Sequence, residues 1–496
     1  MKRFLPLASL LYCIMAVAQT PDYKELYRPR FHFSPAINWT NDPNGLVYYK
    51  GEYHLFYQYN PFDKVWGHMT WAHAVSKDLV HWQHLPIAIP EENGVMIFSG
   101  SCVADTNNTS GFGVQKEAPP MVAIYTGHTD TNQSQYLAYS LDRGRTWTKY
   151  AGNPVLDLHK KDFRDPKVFW YAPKKYWVML LVLPAEHKMQ AWSSADLKSW
   201  SHLSDFGPAG DTSSIWECPD LSWAPLVFNQ RQKKAVLLNS VQNTMQYFVG
   251  SFDGVRFTNE NPASVVLRPD YGPDYYAAIT YNQLPGLQAP VTIGWANNWN
   301  YGKDIPTSPW RSAMSLPRRL FLKKVKDSWV LVQQPIAALQ SLREKELVSV
   351  QNELLGGTKA LPVQSLQLEA ELAITPGATA ITGIRLAAGN GHPIEIGYDA
   401  ARKMLYLDRS KTAHQSFSKA FAERSRFETP LEPANGVLRL HIFFDHSIVE
   451  VFANGGEAVM TAQIFPGDTD NGIELFSNGA NSRISSLKIW QMGSAW

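Results

Sequence analysis

Three short acidic motifs in this 496-residue chain carry side chains able to do chemistry: Trp39-Thr40-Asn41-Asp42-Pro43-Asn44-Gly45, Phe163-Arg164-Asp165-Pro166 and Trp216-Glu217-Cys218-Pro219-Asp220. Cleaving an acetal needs one carboxylic acid to protonate the leaving oxygen and one carboxylate to attack carbon or activate water. Glu217 has poorly solvating neighbours in Trp216, Cys218 and Pro219, which favours a neutral acid and so a proton donor. Asp42 is flanked by Asn41 and Asn44, whose amide donors favour the ionised form that suits a nucleophile. Asp165 follows Arg164, a fixed cation that keeps it charged; a third carboxylate can stabilise positive charge developing at carbon. The plain alternative reads Asp42 and Asp165, each followed by Pro, as turn residues.

The elements that must position these acids recur along the chain. Ala74 to Trp82, Ala138 to Trp147 and Ala191 to Trp200 each read as an apolar strand, a Ser-containing turn with Asp, and an aromatic opening the next strand. A weaker copy runs from Val249 to Phe257. The aligned serines, Ser76, Ser140, Ser194 and Ser251, are 64, 54 and 57 residues apart. A repeat of about 60 residues made of short strands reads as a propeller blade, and roughly five such units fit between Phe31 and Leu320. Asp42 lies 34 residues before Ser76, Asp165 lies 29 before Ser194, and Glu217 lies 34 before Ser251. The acids therefore belong to equivalent early strands of different blades, and those strands meet around one axis.

Composition narrows the partners. Charged residues make up 18% of the chain and the net charge is +2, so nucleic acid is not expected. The 17 Trp favour sugar rings, whose C–H faces stack on indole, although most will be ordinary core residues. No Cys or His pair has metal-ligand spacing, and neither a glycine-rich phosphate loop nor a Ser-centred elbow occurs. We therefore expect no metal and no cofactor. Cys102 and Cys218 could form one disulfide, but Cys218 reads better as a small residue packing its strand.

Residues 1–18 read as a signal peptide: Lys2 and Arg3, an apolar run from Phe4 to Val17, and the small-x-small site Ala16-Val17-Ala18. Export follows, to periplasm, cell surface or medium. No later apolar run is long enough to insert the mature chain in a membrane. We assign residues 25–334 to the propeller, 335–344 to a short amphipathic helical linker and 345–496 to a second domain. Alternating segments such as Ser365 to Leu372 and Leu438 to Phe444, with the turn at Asn454-Gly455-Gly456, predict a β-sandwich there. Asp445, His446 and Glu450 read as a solvated hairpin. Nothing in the sequence reports the oligomeric state.

The motifs also carry a resemblance. In order and spacing the chain resembles glycoside hydrolase family 32, the invertase, inulinase and levanase family. The match extends to Tyr57-Gln58-Tyr59-Asn60-Pro61, Trp66-Gly67, Phe98-Ser99-Gly100-Ser101 and Asp274-Tyr275-Tyr276-Ala277. It implies an all-β protein, a five-bladed β-propeller followed by a C-terminal β-sandwich. It also implies a retaining mechanism through a covalent fructosyl-enzyme. By motif, Asp42 would be the nucleophile, Glu217 the general acid/base and Asp165 the transition-state stabiliser. Asn41, Gln58, Trp66, Ser99, Arg164, Asp274 and Trp295 would line the fructose pocket, with Trp299 able to replace Trp295.

The stretches from Phe98 to Gly113, Trp71 to Trp82 and Tyr301 to Arg311 look more like bacterial levanases and exo-inulinases than plant invertases. The expected activity is removal of terminal fructose from levan or inulin, with sucrose as a lesser substrate. One departure is Thr40, where many relatives carry Met. The alternatives are an endo-acting levanase or inulinase, a fructosyltransferase, and a related propeller hydrolase acting on arabinan or xylan. A sugar-binding module without catalysis would be expected to lack one acid, and none is missing.

Overall fold

The repeated Ser-x-Asp turns are built by the side chains that mark them. Asp78 accepts the backbone N–H groups of Val80 and His81, both at 2.9 Å, and Ser76 bonds both Asp78 and the Leu79 N–H. Asp142, Asp196 and Asp253 do the same two and three residues ahead or three and four ahead. These carboxylates satisfy amides that a tight turn leaves free. Each turn joins two antiparallel strands, as between Thr70–Ser76 and Trp82–Ile89 or between Lys188–Ser194 and Ser201–Phe206.

The computed structural model describes residues 22–114, 118–286 and 289–496. The signal-peptide residues lie outside them. The described chain is all-β, with one short α-helix at Lys419–Glu423 and two 3₁₀ turns among the described residues. Its first part is a series of antiparallel meanders. The first strand of each meander is innermost: Asn38–Tyr49, Met96–Ala104, Arg164–Tyr171, Glu217–Leu226 and Tyr276–Thr280. Each touches the next, and the last touches the first, so these strands close around a common axis. Apolar clusters fill the wedges between neighbouring sheets, for example Val103 and Val122 against Val168, Met179 and Leu181. Burial of each such side chain is worth about 1.5–3 kcal/mol.

The axis is plugged midway by polar groups. Lys167 Nζ lies 2.6 Å from Asp220 Oδ1 and donates to the Thr280 carbonyl at 2.8 Å. Asn282 Nδ2 donates to the carbonyls of Cys102 and Val168 at 2.9 and 3.0 Å. The plug ties four of the inner strands or their ends together, and both of its charges are buried.

The linker is less helical than its pattern predicts. A 3₁₀ turn covers Ala337–Leu342, and Arg343 already begins a strand. Leu339 and Leu342 are buried against the first part of the chain, so packing selects a tight turn over an α-helix. Beyond it, Arg343–Gln364 pairs along Gly472–Met492. The latter pairs with Ile381–Ala388 at one end and Gln367–Thr375 at the other, so one long strand serves both layers around a single apolar core.

The hairpin containing Asp445 and Glu450 is not solvated. Both carboxylates are fully buried. Asp445 accepts the backbone N–H groups of Arg30, Phe31 and His32 and the His32 ring at 2.8 Å. Glu450 receives Arg318 at 2.8 and 3.2 Å, and Arg318 also donates to Asp270 at 2.9 Å. Facing two carboxylates outweighs burial for His32, whose pKa rises to about 9. The N-terminal segment, the meanders and the second domain are therefore joined by a buried ionic cluster.

Candidate active site

Every inner strand carries the same irregularity near its start. Two residues oppose one on the neighbouring strand within Thr40–Pro43, Ile97–Gly100, Arg164–Lys167, Glu217–Asp220 and Tyr276–Ile279. Each is a β-bulge, which bends the strand and re-aims a side chain. Asp165, Cys218 and Ala277 have φ of 63°, 49° and 51° in these bulges. Pro43, Pro166 and Pro219 follow at the break in the ladder, where a missing N–H costs no hydrogen bond. The Asp-Pro pairs thus mark bulges inside strands, not turns. Gly100 fits the same site for another reason: a Cβ there would lie 2.2 Å from the Ile124 carbonyl oxygen.

The bulges bring the three acids to one floor. Asp42 Oδ2 accepts from Ser99 Oγ at 2.8 Å, while its Oδ1 is buried without a hydrogen-bond partner. Asp165 Oδ2 accepts the Cys218 N–H at 2.9 Å. The Cys218 sulfur sits 3.6 Å from Asp42 Oδ2 and 3.7 Å from Asp165 Oδ2. Both cysteines are free and buried, so neither is spent in a disulfide.

Glu217 stands beside them in a setting its neighbours in sequence do not predict. Trp216 turns into the core against Phe248, and the Glu217 carboxyl meets polar groups instead. Arg164 donates to its Oε1 from Nε at 3.1 Å and Nη2 at 2.9 Å, and the Tyr276 hydroxyl donates to Oε2.

Burial dominates the other two acids. It pushes the Asp42 carboxyl above the usual range, reinforced by the Glu217 charge and opposed by the neighbouring Asn41 amide and the Ser99 hydrogen bond. It pushes Asp165 up to about 7, against the opposing charge of Arg164. The sequence expectation that Arg164 keeps Asp165 charged fails because burial outweighs a guanidinium that makes no hydrogen bond to it. That guanidinium bonds Glu217, Asp162 and Gln133, and its Nε is 3.9 Å from Asp165.

Above the acids lies a cavity of about 380 Å³. Asn41, Gln58, Trp66, Ser99 and Arg164 line it, as expected. Gln58 Nε2 is buried without a partner, like Asp42 Oδ1, so the floor offers both a donor and an acceptor to an incoming hydroxylated molecule. Trp66 is 43% exposed and packs edge-on against Phe98.

Asp274 and Trp295 are not part of this lining. Asp274 is fully buried: Tyr301, Arg409 and the Gln463 N–H hold its carboxylate at 2.5, 3.0 and 2.7 Å. It is a tie to the second domain. Trp295 lies behind Trp299, with ring centroids 4.7 Å apart, and Trp299 forms the wall. Tyr276, Ile215, Gln242 and Asn243 complete the cavity. Tyr276 lay within a recognised motif; the Gln242-Asn243 turn carried no sequence signal. Elsewhere, Glu369, Glu371 and His441 cluster tightly on the second domain, but Arg343 already donates to both glutamates.

Known proteins resemble this chain over nearly its whole length. The model of the glycosyl hydrolases family 32 N-terminal domain matches residues 32–335, and that of the family 32 C-terminal domain matches residues 338–491. A levanase from Bacillus subtilis is 44% identical over 100% of this chain and 76% of its own length. The crystal structure of an exo-inulinase from Aspergillus awamori superposes with a TM-score of 0.91 at 39% identity, covering 96% of this chain and 100% of that one. A fructofuranosidase from Schwanniomyces occidentalis, solved with fructose, gives 0.87 at 32% identity over 95% and 99%.

Proposed function

From the premise that the chain belongs to glycosyl hydrolase family 32, we propose that it is a retaining, exo-acting β-fructofuranosidase that releases terminal fructose from levan or inulin, and also splits sucrose. The observation that carries the reading is the unpartnered, buried Oδ1 of Asp42 at the cavity floor, with Glu217 beside it held by Arg164 and Tyr276. Glu217 protonates the departing glycosidic oxygen while Asp42 Oδ1 bonds the anomeric carbon. Glu217 then takes a proton from water, which displaces Asp42 and frees fructose. That carbon bears two oxygens and a carbon substituent, so an oxocarbenium-like transition state is well stabilised. Asp165 faces the developing positive charge and ring hydroxyls; Asn41, Gln58, Trp66, Ser99, Arg164 and Trp299 hold the sugar.

We read residues 25–334 as a five-bladed propeller, supported by the closed cycle of inner strands and the recurring bulge, and residues 345–496 as a sandwich that buttresses it. Export is supported by the leader-like first 18 residues and by the extracellular relatives.

The test is product analysis. The purified protein is incubated with levan, inulin and sucrose, and early products are chromatographed. Fructose alone from a polymer is the expected result. Early oligosaccharides would mean endo-cleavage; no release from any of the three would overturn the reading.

A further inference from the structure

The far mouth of the axis holds a second cavity of about 410 Å³. The acids lie at the starts of the inner strands; this cavity is lined from their later parts, including Trp170 and Trp223, and the Lys167–Asp220 plug separates the two. Trp177, 2% exposed, also lines the cavity, with its ring 5.2 Å from that of Trp170 and edge to face. Trp170 and Trp223 are only half-buried, leaving indole surface for a ligand. Among the lining residues, Ser222 Oγ and Tyr281 Oη are buried and unpartnered, on residues 7% and 5% exposed. Asn107 stands exposed at the rim.

Indole surface and unsatisfied hydroxyls lining one cavity match a molecule with C–H faces and hydroxyl edges, which is a neutral carbohydrate. We propose that this far mouth is an accessory binding site for an internal stretch of the fructan chain whose ends are cleaved on the opposite face. The inference rests on the proposed fructanase activity for the identity of its ligand. An exo-acting pocket meets one chain end at a time, and a polymer presents few ends. A second grip on the same molecule raises the local concentration of ends without any new catalytic contact.

Native electrophoresis through gels containing levan or inulin reads the binding. Asp42→Asn protein keeps the polymer intact during the run. It should be retarded by at least one of the two, and adding Trp170→Ala and Trp223→Ala should weaken that retention by about tenfold, the equivalent of roughly 1.4 kcal/mol. In the catalytically intact protein the same pair should leave turnover of a fructose-terminated trisaccharide unchanged while raising KM for the polymer. Trp170→Ala alone serves if the pair does not fold, since its ring is half-exposed. Unaltered retention in the variants, or a parent unretarded by either polymer, overturns the site. If the Asp42→Asn protein is retarded but the catalytically intact protein does not hydrolyse the trisaccharide, the site stands and the proposed activity is defeated instead.

Discussion

Asp165→Asn should stabilise the protein at alkaline pH while disabling it. The carboxyl is 6% exposed, lacks a direct bond from Arg164 and shares its floor with Asp42 and Glu217, which together raise it from 3.8 to about 7. A carboxyl whose folded pKa exceeds its unfolded value stabilises the fold only while it holds its proton. That contribution is complete below 3.8 and is lost as pH rises through about 7. Relative to its value below 3.8, this contribution is smaller by about 2 kcal/mol at pH 5, where only the unfolded chain has ionised, and by about 4 kcal/mol at pH 8.

Asparagine copies the shape of the protonated acid and keeps an oxygen for the Cys218 N–H. Any loss from altered hydrogen bonding is common to both pH values, as are titrating groups remote from the site. The difference between variant and parent should therefore shift by about 2–3 kcal/mol in favour of the variant between pH 5 and pH 8. Urea unfolding at the two pH values, followed by tryptophan fluorescence, measures it. Fructose release should fall by about 10²–10³-fold, the usual cost of losing a group aimed at transition-state charge. A variant-to-parent difference that is the same at both pH values, or that turns against the variant at pH 8, would refute the reasoning.

The remaining predictions concern the other parts of the site and its support. Asp42→Asn should lower kcat by about 10⁴-fold with the fold intact, because the atom that bonds carbon is gone; near-normal turnover by folded protein would remove Asp42 from the nucleophile role. Glu217→Ala should regain activity with azide on a substrate whose leaving group needs no proton, giving a fructosyl azide detectable by mass spectrometry. Arg318→Met strands the buried carboxylates of Asp270 and Glu450 and should cost about 3–5 kcal/mol in urea unfolding. It should leave KM for sucrose unchanged, since Arg318 does not line the catalytic cavity.

What was legible in the sequence was what local chemistry writes there. The Ser-x-Asp turns are closed by side chains two to four residues from the amides they satisfy, so their spacing could be read along the chain and used to group the acids. The Asp-Pro and Cys-Pro pairs were also visible, but their meaning was not. Proline marks a turn and a strand break equally well, and only the opposing strand reveals two residues facing one.

Three of the failures share one cause: each concerned a charge whose partner is distant in sequence. Asp274 is claimed by Arg409, 135 residues away, and Glu450 by Arg318, 132 residues away. Arg164 is drawn from its neighbour Asp165 to Glu217, 53 residues on. A guanidinium has a limited fork of donors, and whichever carboxylates meet that fork gain the hydrogen bonds. Adjacency in sequence gives no advantage inside a bulge, because successive side chains there point to different places. The same competition explains why the floor can hold three acids at all. With Arg164 committed to Glu217, Asp42 and Asp165 remain in a buried site with raised proton affinity, a state that destabilises the empty protein. An incoming sugar that develops positive charge is the partner this arrangement lacks.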